Sequence, residues 1–122
     1  MRQFKFRIWD KESKKFVMTG ALYGCEGVAG LSTYFNRNTH VVQQFTELHD
    51  TKGNEIYEGD VLQFSDEDKG DEPCEVIYEL GMFGCNIIDT SNNKDFWQLY
   101  YIVTKLKPIV IGNIFEHSEL LK

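Results

Sequence analysis

At 122 residues, with 42% hydrophobic and 14% aromatic content, the chain suits one folded domain with a real core and is too short for two. A net charge of −6 disfavours binding through a phosphate backbone, which depends on clustered Lys and Arg. No apolar run approaches the roughly 20 residues of a membrane helix. The opening Met1-Arg-Gln-Phe-Lys-Phe-Arg7 lacks the apolar stretch of a signal peptide, so a cytoplasmic protein is expected.

Phe4, Phe6 and Ile8 alternate with Lys5 and Arg7, the period of a half-buried strand. A turn at Asp10-Lys-Glu-Ser-Lys14 and a return strand at Lys15-Phe-Val-Met18 predict an N-terminal β-hairpin. Residues 20–38 carry Gly20, Gly24, Gly27 and Gly30 without a clean period or a phosphate-loop pattern, and read as an irregular surface loop. Residues 39–48 predict a strand, Asp50-Thr-Lys-Gly-Asn54 a polar turn, Ile56-Tyr57 a short strand, Glu58-Gly-Asp60 a tight corner, and residues 61–64 another strand. A Gly-bearing corner followed by an apolar strand is a common way for a small barrel to bend.

Residues 65–73 form an acidic loop in this reading. Asp66, Glu67 and Asp68 suggest a Ca²⁺ loop, but Asp71 and Ile77 stand where the EF-hand pattern needs its Gly and its bidentate Glu. Glu75–Glu79 predicts a strand, Gly81–Gly84 a bend and Cys85–Ile88 the partner strand. Residues 90–95 read as a loop, and Phe96–Val103 fits either a strand or a short helix. Ile109–Ile111 reads as a strand closed by Gly112-Asn113, and Glu116–Leu121 as a helical turn. The whole is all-β, with at most one or two short helices, organised as one domain over residues 1–122.

Three blocks resemble the YopX family of small bacteriophage and prophage proteins. They are Phe4-Lys-Phe-Arg-Ile-Trp-Asp-Lys-Glu-Ser-Lys-Lys-Phe-Val-Met18, Phe45-Thr-Glu-Leu-His-Asp-Thr-Lys-Gly-Asn-Glu-Ile-Tyr-Glu-Gly-Asp-Val-Leu62 and Val110-Ile-Gly-Asn-Ile-Phe-Glu-His-Ser-Glu-Leu-Leu121. Their order and spacing fit across essentially the whole chain. The family usually shows Gly where Glu47 stands and Asn-Pro where His117-Ser118 stand, departures that bear on local turn geometry. The resemblance implies a small pseudo-barrel with an SH3-like barrel portion. It brings no biochemical activity and no functional residue with it.

The remaining chemistry is sparse. Cys25, Cys74 and Cys85 are odd in number and lack metal-ligand spacing, while His40, His49 and His117 are scattered, so reduced thiols and neither metal nor cofactor are expected. Glu58 and Asp60 are a weak candidate for metal or acid–base work against ordinary turn capping. His49 beside Asp50 is the nearest thing to a catalytic pair, but strand neighbours face opposite ways. No nucleophile, base and orienting group occur together, which argues against an enzyme.

Two binding readings follow. The first is a protein-binding or assembly module, through an unknown partner or self-association, with no membrane role. The apolar terminal segment Ile114–Leu121 either docks on a neighbour or closes the protein's own barrel. The second is nucleic-acid binding by a basic hairpin, since Arg2, Lys5, Arg7, Lys11, Lys14 and Lys15 oppose only Asp10 and Glu12 within residues 1–15. Its candidate contacts are Arg2, Lys5, Arg7 and Lys11. Gly53, Gly59, Asp60, Gly112 and Asn113 are singled out as structural residues.

Overall fold

The structure, a computed structural model, describes residues 4–21, 38–65, 72–88 and 91–121. The first hairpin pairs β1 (Lys5–Asp10) with β2 (Lys15–Ala21). Its turn is organised by Asp10, whose Oδ1 accepts the Glu12 and Ser13 amides at 2.9 and 3.3 Å. On the other edge of β1 lies β3 (His40–His49), to which β4 (Glu55–Tyr57) adds, giving an antiparallel sheet in the order β2-β1-β3-β4.

A second sheet places β5 (Asp60–Gln63) between β6 (Cys74–Glu75) and β10 (Ile109–Asn113). A third is the meander β7 (Ile77–Glu79), β8 (Met82–Ile88) and β9 (Lys94–Gln98). Short helix α1 (Leu99–Tyr101) widens into a π-type turn over Ile102–Leu106, and a 3-10 turn spans Ser118–Leu121. The fold is therefore mostly β, with its sheets curled as part of a barrel around a shared core. That core gathers Ile56, Leu62, Phe64, Val76, Ile87, Leu99 and Ile102 from all three sheets and the helical segment.

Some expected boundaries move, each for a local reason. The Glu75–Glu79 strand is interrupted at Val76, whose N–H and C=O instead bond Asp60 and Gly59, so the chain passes from one sheet to the next there. The hairpin bend sits at Leu80-Gly81 and not over 81–84. Both turn residues have positive φ, 55° and 78°, which matches the twist of a two-residue hairpin. Gly84 lies within β8, where a Cβ would run into the Trp97 carbonyl and the Phe96 ring. Residues 96–103 are strand first and helix second, changing at Gln98. Residues 94 and 95, expected in a loop, begin β9. Most of the Gly-rich and acidic loops, and Cys25 and Arg2, fall outside the described residues.

The central turn is organised by Asp50. Its carboxylate accepts the Lys52 and Asn54 amides at 2.9 and 2.8 Å, the Asn54 side chain at 3.1 Å, and the Val110 amide of β10 at 2.9 Å. Burial pushes this carboxyl up, but the hydrogen bonds outweigh it, led by Val110 and Asn54, and hold it below its ordinary value. Asn113 does similar work at the other end of β10. Its Oδ1 accepts the Phe115 and Glu116 amides at 3.0 and 2.9 Å, while His117 lies against Gly112, where a Cβ would meet the ring. This turn sets Phe115 flat on Trp9, with ring centres 4.8 Å apart, so the terminal segment closes onto the protein's own first hairpin.

Arg7 is held by all three of its nitrogens. Its Nη1 pairs with Asp60 Oδ1 at 2.8 Å, its Nε donates to Gln43 Oε1 at 2.8 Å, and its Nη2 donates to the Glu58 carbonyl at 3.0 Å. The rings of Phe16 and Tyr57 lie 4.8 and 5.0 Å from the guanidinium carbon. Asp60 Oδ2 accepts the Tyr57 amide at 2.7 Å. Between these partners Gly59 takes φ 83°, and a Cβ there would overlap the Gln43 side-chain amide. The corner thus needs glycine for conformation and for space.

Two stability predictions follow from this corner. Asp60→Ala and Arg7→Met each leave one buried charge without its partner and should each cost about 3–5 kcal/mol in urea unfolding. The double variant should lose clearly less than the two costs combined; simple additivity would show that the pair does not couple. Gly59→Val should destabilise by roughly 2 kcal/mol or more, from positive-φ strain and displacement of Gln43. An unchanged melting temperature would overturn that account of the corner.

Candidate functional site

The structure presents two candidate places, and several of the residues singled out in the sequence lie at the first. The first is a polar recess of about 510 Å³, whose lining includes Arg7, Phe16, Glu55, Tyr57, Asp60 and Asn113. It brings acid, base and phenol together, as a catalytic site would, yet each group is already used. Arg7 is bound on all three nitrogens. Burial, then the charge of Glu55, pushes the Tyr57 phenol up to about 12, so it stays protonated at neutral pH. Burial likewise pushes the Asp60 carboxyl up, against the pull of Arg7 and the Tyr57 amide. Among the described residues no buried side-chain nitrogen or oxygen lacks a hydrogen-bond partner. The recess is an internally satisfied clamp.

The other sequence candidates are likewise drawn into structure. Lys5 Nζ pairs with Glu55 Oε2 at 2.6 Å and lies 5.4 Å from the Phe45 ring centre. Lys11 is exposed at the hairpin turn, where its amide bonds the Thr39 carbonyl. Lys5 and Arg7 are thus each already paired with an acid, while Arg2 lies outside the described residues. β1 is an inner strand, and the Glu58–Asp60 corner covers the face on which Arg7 lies. His49 packs edge-on to Phe45, with ring centres 5.7 Å apart, while Asp50 serves its turn, so the two form no dyad. Among the described residues no group of three or more His, Cys, Asp or Glu is placed to hold a metal ion. Cys74 and Cys85 are buried free thiols, packed as small hydrophobes.

The second place is a groove of about 610 Å³ that sequence reasoning missed. One wall is β3 from Gln44 to Leu48. The other is the β7–β8 hairpin with Tyr78, Met82 and Phe83, joined by Gln98, Leu99 and Tyr100 where β9 turns into α1. Phe4 and Glu58 complete its lining. Tyr100 is 64% and Tyr78 57% exposed, and Leu80, at the hairpin tip beside the groove, is 80% exposed. Exposed Phe4 and Met82 extend the same surface. These side chains come from distant parts of the chain, and short strands with several apolar positions do not reveal which ones stay outside the core.

Charge at the groove is one-sided. Glu47 and Glu58 line it, and no Lys, Arg or His is among its described lining residues. Glu58 Oε1 accepts the Gln44 amide at 3.1 Å. Burial, then the negative charge of Glu58, pushes the neighbouring Glu75 carboxyl above its ordinary value. Glu47 holds φ 70° within β3, at the irregularity between its pairings with β4. Glycine suits that backbone conformation better than any L-residue.

Glu47→Gly should therefore stabilise the fold by about 0.5–1 kcal/mol, read by urea unfolding, because relief of the left-handed strain exceeds the added chain entropy. A loss of stability would show that the Glu47 side chain contributes more than its backbone strain costs. Glu75 predicts a pH effect. Its raised folded-state pKa means that Glu75's own contribution to stability falls as pH rises through the region above 4.5. Glu75→Gln should be more stable than the natural chain at neutral pH, and the gain should shrink as pH falls toward 4.5. A gain independent of pH would exclude ionisation as its cause.

Comparison with known proteins gives a consistent answer. The crystal structure of protein EF1440 from Enterococcus faecalis is similar over 98% of each chain, with a TM-score of 0.61 and 25% sequence identity. No curated protein matches. The family model described as YopX protein matches residues 5–122. With the first hairpin, the Glu58-Gly-Asp60 corner and the Asn113 turn locked together along that same span, the chain belongs to the YopX protein family.

Proposed function

We propose that the protein is a non-enzymatic binding or assembly module of bacteriophage or prophage origin, engaging a protein partner or a second copy of itself. The observation that carries this reading is the groove with its exposed Phe4, Tyr78, Met82 and Tyr100, and beside it Leu80. An 80% exposed leucine at φ 55° is poor turn chemistry, since Asn or Gly would sit there with less strain and less apolar exposure. Tyr78, Met82 and Tyr100 surround it with further exposed apolar surface. Strain and exposure retained together at one tip suit a side chain kept for contact. The SH3-like barrel portion implied by the resemblance is compatible with this, as small barrels commonly receive peptides on aromatic surfaces.

Nucleic-acid binding through Arg2, Lys5, Arg7 and Lys11 has weaker support, because Arg7 is held by Asp60 and Lys5 by Glu55. Support for a non-enzymatic role comes from the polar recess, whose acid, base and phenol are committed to one another.

The test compares the natural chain with Leu80→Asn and Tyr78→Ala/Tyr100→Ala in pull-downs from a bacterial lysate, with light scattering on each purified protein. Leu80→Asn should melt at the same or a higher temperature while losing the partner or the self-association. Capture and assembly unaffected by either variant would sink the reading.

A further inference from the structure

We infer that the groove receives a short basic segment of a partner protein, whose lysine or arginine side chain meets Glu58 and the faces of Tyr78 and Tyr100. The inference rests on the reading above, that this groove is the binding surface, and adds the chemistry of what it binds. Three observations point the same way. The described lining combines the carboxylates of Glu47 and Glu58 with the rings of Phe4, Tyr78, Phe83 and Tyr100, and contains no basic side chain. A cation with an aliphatic stem satisfies such a surface better than a neutral or acidic segment does. The charge is drawn to the carboxylates and ring faces, and the methylenes cover the apolar floor.

The second observation is that a further carboxylate lies near Glu58. Glu75, outside the lining, is opposed in its ionisation by burial and then by the charge of Glu58, so a cation at Glu58 also offsets that secondary repulsion. The third is steric. Tyr78 and Tyr100 are more than half exposed, so a side chain can approach their faces without opening the core. The same carboxylates repel phosphate, which separates this occupant from a nucleic acid. They also exclude an acidic peptide as the preferred partner.

A selection of random peptides displayed on yeast, made against the 122-residue chain, tests the chemistry without knowing the natural partner. Each selected peptide is then synthesised and titrated against three proteins: the natural chain, Tyr78→Ala/Tyr100→Ala, and Glu47→Gln/Glu58→Gln. The glutamines keep side-chain length and the acceptor that Glu58 offers to the Gln44 amide. The expected result is a set of peptides rich in Lys or Arg that bind the natural chain. Loss of the two carboxylate charges should weaken them roughly tenfold, and rising salt should weaken them further. Removal of the tyrosines should abolish binding. Groove-dependent peptides that are neutral or acidic, or are indifferent to Glu47→Gln/Glu58→Gln, would overturn the inference and leave the groove as a binding surface. Peptides indifferent to the tyrosines would overturn both. Light scattering that shows a dimer sensitive to Tyr78→Ala/Tyr100→Ala would make a second copy the occupant and also overturn it. Unchanged melting temperatures in both variants would show that the effects belong to the surface.

Discussion

Arg7 enters the interior with a permanent charge, and the rest of the architecture accommodates it. Taking a guanidinium out of water is tolerable only when its donors and its charge are met nearby. Here Asp60 supplies the opposite charge, Gln43 and the Glu58 carbonyl take the remaining donors, and Phe16 and Tyr57 close over the faces. These partners come from β2, β3, β4 and the corner leading into β5, so satisfying one side chain fixes four elements relative to β1. Gly59 is required because only a residue without a Cβ leaves room for Gln43. The pair is thus better understood as a device for uniqueness of packing than as a large net source of stability.

The groove inherits its definition from the same corner. Glu58 offers its carbonyl to Arg7 and its carboxylate to the Gln44 amide, on the groove's β3 wall. The facing hairpin is joined to the corner through Val76, whose backbone bonds Gly59 and Asp60. Both walls are consequently referenced to one buried charge pair. A groove built on such a scaffold is pre-organised, which is what a binding role of the kind proposed above would need. Left-handed backbone without glycine occurs in its β3 wall at Glu47 and beside it at Leu80.

Local sequence rules were informative where one short stretch contained both cause and effect. The Asp50 turn, the Asn113 turn and the N-terminal hairpin are such cases, because the hydrogen bonds that shape these turns run mainly between residues a few positions apart. The same rules put Arg7 on one face of a half-buried strand and went no further, since alternation identifies two faces of a strand but not what covers the second. They also set the β7–β8 bend too late. Gly84 looked like turn chemistry, whereas its small size serves close approach to β9.

The sequence by itself determined the strand-rich class, the local turns and the family. These follow from β-branched and aromatic runs, from Asx and Gly turn residues, and from three ordered motifs, all of them properties of neighbours along the chain. Tertiary structure alone decided that Arg7 pairs with Asp60 instead of facing solvent. It also decided that Phe115 closes on Trp9, and that Phe4, Glu58, Tyr78 and Tyr100 converge on one groove. Those outcomes depend on which sheet face meets which. That choice is made by long-range packing and charge satisfaction, which local periodicity does not encode.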